Sequence, residues 1–138
     1  MRLICAVGNP MRRDDGVGIR VGELLKDHLE VVFCHTYPER FVDEICSKRP
    51  GEVIVVDGGD LGLSPGEFRE VSPEEIDRHT VSSHTLPLSL FAALVGECCP
   101  RVRLLVVQIK DTSFGEGLSP EVEEGARRLV EFLKGGTP

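Results

Sequence analysis

The run Val53-Ile54-Val55-Val56-Asp57 constrains the fold more than any other part of the chain. Alternating apolar and polar residues would mark a strand with one wet face, whereas an unbroken apolar run marks a strand covered on both. Further stretches rich in Val, Ile and Leu extend the strand pattern, which covers residues 2–7, 31–34, 52–57, 66–71 and 103–109. Helical spacing separates them. Residues 17–28 carry an apolar face of Val17, Ile19, Val21, Leu24 and Leu25, and residues 39–47 turn Phe41, Val42 and Ile45 inward. Ser72-Pro73-Glu74-Glu75 is a helix start, with Ser72 as cap and Glu75 able to close a capping box, for a helix ending near His79. Residues 86–97 are apolar nearly all round and are expected to be well buried. A last helix starts at Ser119-Pro120-Glu121 and stops at Gly135-Gly136.

Strands alternating with helices predict one α/β domain over residues 1–138, built on a twisted, mostly parallel five-stranded sheet with helices on both faces. The segment between Asp57 and Glu67 has Gly58, Gly59, Gly62 and Pro65 and no helical pattern, so it reads as a loop into an antiparallel edge strand. A formal net charge of −7 disfavours nucleic-acid binding, which needs a basic patch. The chain has neither a membrane-spanning apolar run nor a signal-peptide layout and reads as soluble and cytoplasmic. Five cysteines, an odd number without a C-x-x-C, argue against a disulfide framework; a thiophilic metal site at the vicinal pair Cys98-Cys99 is a minor alternative.

The candidate chemistry gathers at turns. Asp14 and Asp15 follow the first strand and open the first helix, and capping explains one aspartate there better than two. The glycines at 8, 16 and 18 do not have dinucleotide spacing. Asp57 ends the buried strand, and ligands of parallel sheets bind beyond such strand ends, where chain order reverses. If the first and third strands are neighbours, Asp15 and Asp57 emerge at one crevice. His84 precedes the apolar helix, and two carboxylates with one imidazole make an open metal set. His28, His35 and His79 read as solvated. Gly62-Leu63-Ser64-Pro65-Gly66 matches the G-x-S-x-G hydrolase elbow in letters only. The residue after the serine must donate its N–H to an oxyanion, and Pro65 has none.

Taken in order, Gly8-Asn9, Asp14-Asp15-Gly16-Val17-Gly18, Val55-Val56-Asp57, Asp60 to Glu67 and Ser83-His84-Thr85-Leu86-Pro87-Leu88 resemble the hydrogenase maturation proteases across essentially the whole chain. The resemblance implies a three-layer, phosphorylase/hydrolase-like α/β fold and an endopeptidase acting on the large-subunit precursor of a [NiFe] hydrogenase. It implies that Asp15, Asp57 and His84 are the metal-binding and catalytic positions, with Asp14 capping or supporting them. The family keeps no metal of its own; the nickel read by the three residues is the one already inserted in the precursor. A short C-terminal peptide is then removed, by a protease expected to be a monomer. In place of the acidic Asp-Gly-Gly segment that relatives often carry after the second strand, this chain has Cys34-His35-Thr36-Tyr37-Pro38-Glu39. The extra carboxylate is missing unless Glu39 replaces it, and Cys34 or His35 would alter metal preference. Relatives also tend to show glycine and proline near Gln108-Ile109-Lys110. Two other readings remain open: a precursor-binding relative that does not cut, and a small domain binding a phosphate-bearing ligand at the first turn. Leu61, Leu63, Tyr37 and Phe114 are candidates for an apolar partner surface around the site.

Overall fold

The structure, a computed structural model, describes residues 1–80 and 86–135. Its single sheet holds β1 (Arg2–Val7), β2 (Glu30–His35), β3 (Glu52–Gly59), β4 (Phe68–Val71) and β5 (Val102–Gln108) in the order β2-β1-β3-β5-β4. β2, β1, β3 and β5 run parallel, and β4 closes the edge antiparallel to β5, as the loop after Asp57 predicts. The chain leaves β1 toward β2 on one side and returns to β3 on the other. Strand order therefore reverses between β1 and β3, which opens a crevice at their carboxyl ends.

Among the described residues, five α-helices flank the sheet: α1 (Val17–Leu25), α2 (Val42–Ser47), α3 (Pro73–His79), α4 (Leu88–Gly96) and α5 (Pro120–Gly135). Strand residues alternate between two clusters. Leu3, Cys5, Val7, Val53, Val55, Leu104 and Val106 pack with Ile45, Ile76, Phe91 and Val95 from α2, α3 and α4. Ile4, Ile54, Val56, Leu105 and Val107 pack with Val17, Val21 and Leu25 of α1 and Val122, Ala126 and Leu129 of α5. Each fully buried side chain of this size contributes about 1.5–3 kcal/mol. The α3 start carries the expected capping box: Ser72 Oγ accepts the Glu75 N–H and Glu75 Oε1 accepts the Ser72 N–H.

Several expectations need correction. α1 stops at Leu25 rather than residue 28, because Lys26, Asp27 and His28 offer nothing to bury and the chain turns through His28 N–H to Leu25 O. The helix expected over 39–47 divides into a 3-10 turn, Pro38–Phe41, and α2. α4 is not buried all round; it packs Leu88, Phe91, Ala92 and Val95 and leaves Leu90 45% exposed. Most important, Cys46 and Cys98 form a disulfide. Counting cysteines cannot reveal that packing sets the end of α2 beside the end of α4. There the two Cα atoms lie 5.6 Å apart, within the span of about 4.4–6.8 Å that a disulfide bridges. Cys98 and Cys99 diverge, since Cys99 is buried with its thiol on the Arg101 carbonyl, so this pair is no metal site. Cys5 and Cys34 stay in the core, where the hydrogen bond between them and then burial push the Cys5 thiol well above its ordinary value.

Candidate active site

The turn between β1 and α1 is built by glycines that admit no side chain. At Gly18, in the first turn of α1, a Cβ would stand 2.2 Å from the Val7 carbonyl oxygen and 2.4 Å from that of Val56. The helix thus rests directly on the end of β1 and on β3 beside it. Gly8 has φ +142°, and a Cβ there would lie 2.2 Å from the Asp15 carbonyl oxygen and 3.6 Å from Asp57 Oδ1. The Asp15 backbone and the Asp57 carboxylate therefore both meet this glycine, and both residues are buried. Asp57 Oδ1 accepts the N–H of Gly58 at 2.8 Å.

Asp14 behaves differently from its neighbour. It caps neither its own 3-10 turn (Arg13–Gly16) nor α1. Its buried carboxylate reaches across to the chain beyond β5. Oδ1 accepts the Ser119 N–H at 2.7 Å, and Oδ2 accepts the N–H groups of Lys110 at 2.9 Å and Asp111 at 2.8 Å and the Ser119 hydroxyl at 2.8 Å. Four donors fully occupy it. A carboxylate so engaged is a structural anchor that holds the turn in register with the start of α5.

Gln108 had no role in the sequence reading, and the structure gives it one. Its buried amide oxygen accepts the Leu61 and Leu63 N–H groups at 2.7 and 3.2 Å. Its amide nitrogen donates to Asp60 Oδ1 at 3.2 Å and to the Ile109 carbonyl at 3.0 Å. The loop after Asp57 is thereby fixed. Asp60 in turn donates its N–H to the His79 carbonyl at 2.7 Å, and its own carbonyl lies 3.0 Å from His79 Nδ1. A polar amide ending the apolar run Leu104 to Val107 was the available signal, the same one that singled out Asp57.

His84 lies outside the described residues. Among those described, no group of three His, Cys, Asp or Glu is arranged to hold a metal ion. Cys34 is buried in the core cluster with Cys5 and Val32. Of the histidines expected to be solvated, only His28 is fully so; His79 is held by Asp60, and His35 stacks on Tyr37, their ring centroids 5.7 Å apart. Ser64 sits exposed in a turn that leads into β4, not into a helix. Leu61 packs against the core and Tyr37 stacks between His35 and Phe41, whereas Phe114 stands 79% exposed.

Comparison with known proteins bears on the family and the fold. The family described as HycI, hydrogenase maturation protease, matches residues 19–135. The hydrogenase 3 maturation protease of Escherichia coli K12 is 28% identical, over 96% of this chain and 88% of the relative. The solution structure of the Escherichia coli endopeptidase HycI superposes with a TM-score of 0.88 at 26% identity, covering 98% of this chain and 90% of that one. The crystal structure of the [NiFe] hydrogenase maturation protease HycI from Thermococcus kodakarensis KOD1 superposes with a TM-score of 0.83 at 32% identity, covering 97% of this chain and 90% of that one.

Proposed function

This chain belongs to the hydrogenase maturation protease family and is a peptidase; from that premise we propose that it removes the C-terminal peptide of a [NiFe] hydrogenase large-subunit precursor after nickel insertion. The observation that carries this reading is the burial of Asp15 and Asp57, whose backbone and carboxylate respectively approach Gly8 at the reversal of strand order. Buried carboxylates there are suited to a hard or borderline cation presented by a substrate. They oppose a phosphate ligand, because an anion at the α1 N-terminus would meet two aspartates. With nickel held in the precursor, Asp15, Asp57 and His84 read the metal, so cutting waits for insertion to finish.

In the chemistry that follows, the metal polarises the scissile carbonyl. A water held by Asp57 or Asp15 gives its proton to that carboxylate and adds to the carbonyl carbon. Collapse of the tetrahedral adduct then breaks the C–N bond, and the departing amine takes the proton. The fold is read as the three-layer, phosphorylase/hydrolase-like arrangement, acting in the cytoplasm. No described helix is long and apolar enough to cross a membrane. Cleavage of nickel-loaded against nickel-free precursor by the wild type, Asp57→Asn and His84→Ala tests the mechanism. Loss of nickel-dependent cutting in both variants is expected. Undiminished, nickel-independent cutting by both overturns it, and binding by the wild type without cutting favours a non-cleaving role.

A further inference from the structure

We propose that a groove across the first turn of α1, together with the exposed side chains of Met11 and Phe114, is the surface on which the precursor polypeptide docks beside its cleavage site; this rests on the proteolytic reading above. The groove has a volume of about 450 Å³ and is lined by Pro10, Arg13, Gly16, Ile19, His35 and Glu116, among others. Gly16 directly follows Asp15, so the groove begins at the turn that carries the buried carboxylate.

The loops that form it are fastened together. Arg12 pairs with Gly115 as an isolated bridge, the Gly115 N–H donates to the Met11 carbonyl at 2.8 Å, and the Arg13 N–H donates to the Gly115 carbonyl at 2.9 Å. Asp14 ties the same two segments from beneath. A surface ordered in advance gives up little entropy when a partner binds. Among the described non-glycine residues, three have left-handed backbones, and two of them, Arg13 at φ 45° and His35 at φ 53°, line this groove. Such conformations concentrate at binding and catalytic sites.

Chemistry identifies the occupant. Met11 is 44% exposed and Phe114 is 79% exposed, and the Gly115-to-Met11 hydrogen bond sets their loops side by side. Large apolar groups held out on rigid loops suit an apolar side chain of a protein partner. The groove lining also holds three glutamates and two arginines. Arg20 engages Glu123 through two hydrogen bonds of 3.0 Å and lies 3.8 Å from Glu23. Arg13 donates to the Glu116 backbone carbonyl, which leaves the Glu116 carboxylate without a cation among the described residues. The groove therefore fits an extended polypeptide that lays an apolar residue on Met11 and Phe114 and brings a Lys or Arg toward Glu116.

The test is cleavage kinetics on nickel-loaded precursor, with Phe114→Ser and Glu116→Lys compared with the wild type. Both positions are exposed, so thermal unfolding of the variants should match the wild type. A rise in KM of about tenfold with kcat nearly unchanged is expected for each. A precursor in which the Lys or Arg proposed to face Glu116 is changed to Glu should regain affinity for Glu116→Lys. Unchanged KM in both variants overturns the proposal, even though Asp57→Asn still abolishes cutting. If the wild type does not cut at all, the proteolytic reading falls instead. Docking is then read by photo-crosslinking from p-benzoylphenylalanine at position 114: attachment to the precursor's C-terminal region supports the surface, and none overturns it.

Discussion

Asp14 and Ser119 stand 105 residues apart in the chain and share two hydrogen bonds, 2.7 Å from the Ser119 N–H to Oδ1 and 2.8 Å from its hydroxyl to Oδ2. The neighbouring Asp15, equally acidic and also buried, has its backbone carbonyl against Gly8, where the Asp57 carboxylate also approaches. Asp14 of the pair thus serves the scaffold.

Asp14→Ala would remove the shared acceptor of three part-buried backbone N–H groups and a hydroxyl. Hydrogen bonds to a charged acceptor are worth about 1.5–3 kcal/mol each when one partner is removed, so a loss of about 3 kcal/mol or more is expected. Asp57→Asn keeps an acceptor for the Gly58 N–H and should change stability by less than about 1 kcal/mol. Urea unfolding beside a cleavage assay separates them: Asp14→Ala should lose activity through unfolding, and Asp57→Asn should lose it while fully folded.

Gly18→Ala should be more damaging than its single methyl suggests. The new carbon would meet the Val7 and Val56 carbonyl oxygens at 2.2 and 2.4 Å, and neither can retreat without leaving its strand. α1 must lift off the sheet, at a cost of about 3 kcal/mol, and the turn bearing Asp15 moves away from Asp57. Thermal unfolding checks the first effect and cleavage of precursor the second. Wild-type behaviour in both would contradict the packing described above.

The Cys46–Cys98 bridge closes a loop of 52 residues between α2 and the end of α4. Loop-closure entropy predicts that breaking it costs about 2–4 kcal/mol. Cys46→Ser, or the wild type in dithiothreitol, should show that decrease in urea unfolding, with no further decrease when the two are combined.

The ion pair between α1 and α5 makes stability depend on pH in one direction. The hydrogen bonds from the Arg20 guanidinium hold the Glu123 carboxyl below its ordinary range. The unfolded chain, with an ordinary glutamate, binds a proton first as pH falls, so folding is favoured above that value. The contribution is lost as pH drops from the unfolded value through the lowered folded one. Glu123→Gln should therefore lower stability at neutral pH and flatten the acid limb of the unfolding curve. An unaltered acid limb would show that the pair contributes nothing.

Much of this was legible in local pattern. The Val- and Ile-rich runs announced β1, β3 and β5, because buried parallel strands need apolar residues on both faces. Ser72 and Glu75 announced the start of α3, because a capping box closes within four residues. Gly8 follows β1, Asp15 lies in the turn before α1, and Asp57 lies two residues before the end of β3, which the sequence reading ends at Asp57. Leu90 misled, since an apolar residue on a helix says nothing about whether a neighbour exists to cover it. Gln108 was passed over because its four partners are backbone and side-chain groups of a loop 45–48 residues earlier, together with the Ile109 carbonyl.

Taken alone, the order of residues determined the alternation of strands and helices, the antiparallel edge, and the positions where acidic side chains leave the sheet. These follow from periodicity and turn chemistry, which act over a few neighbouring residues. Tertiary packing alone decided that Asp14 binds Ser119, that Cys46 meets Cys98, and that the loops of Met11 and Phe114 lie side by side. In each case the partner is far along the chain, and a side chain acquires its role from whatever the fold brings within bonding distance.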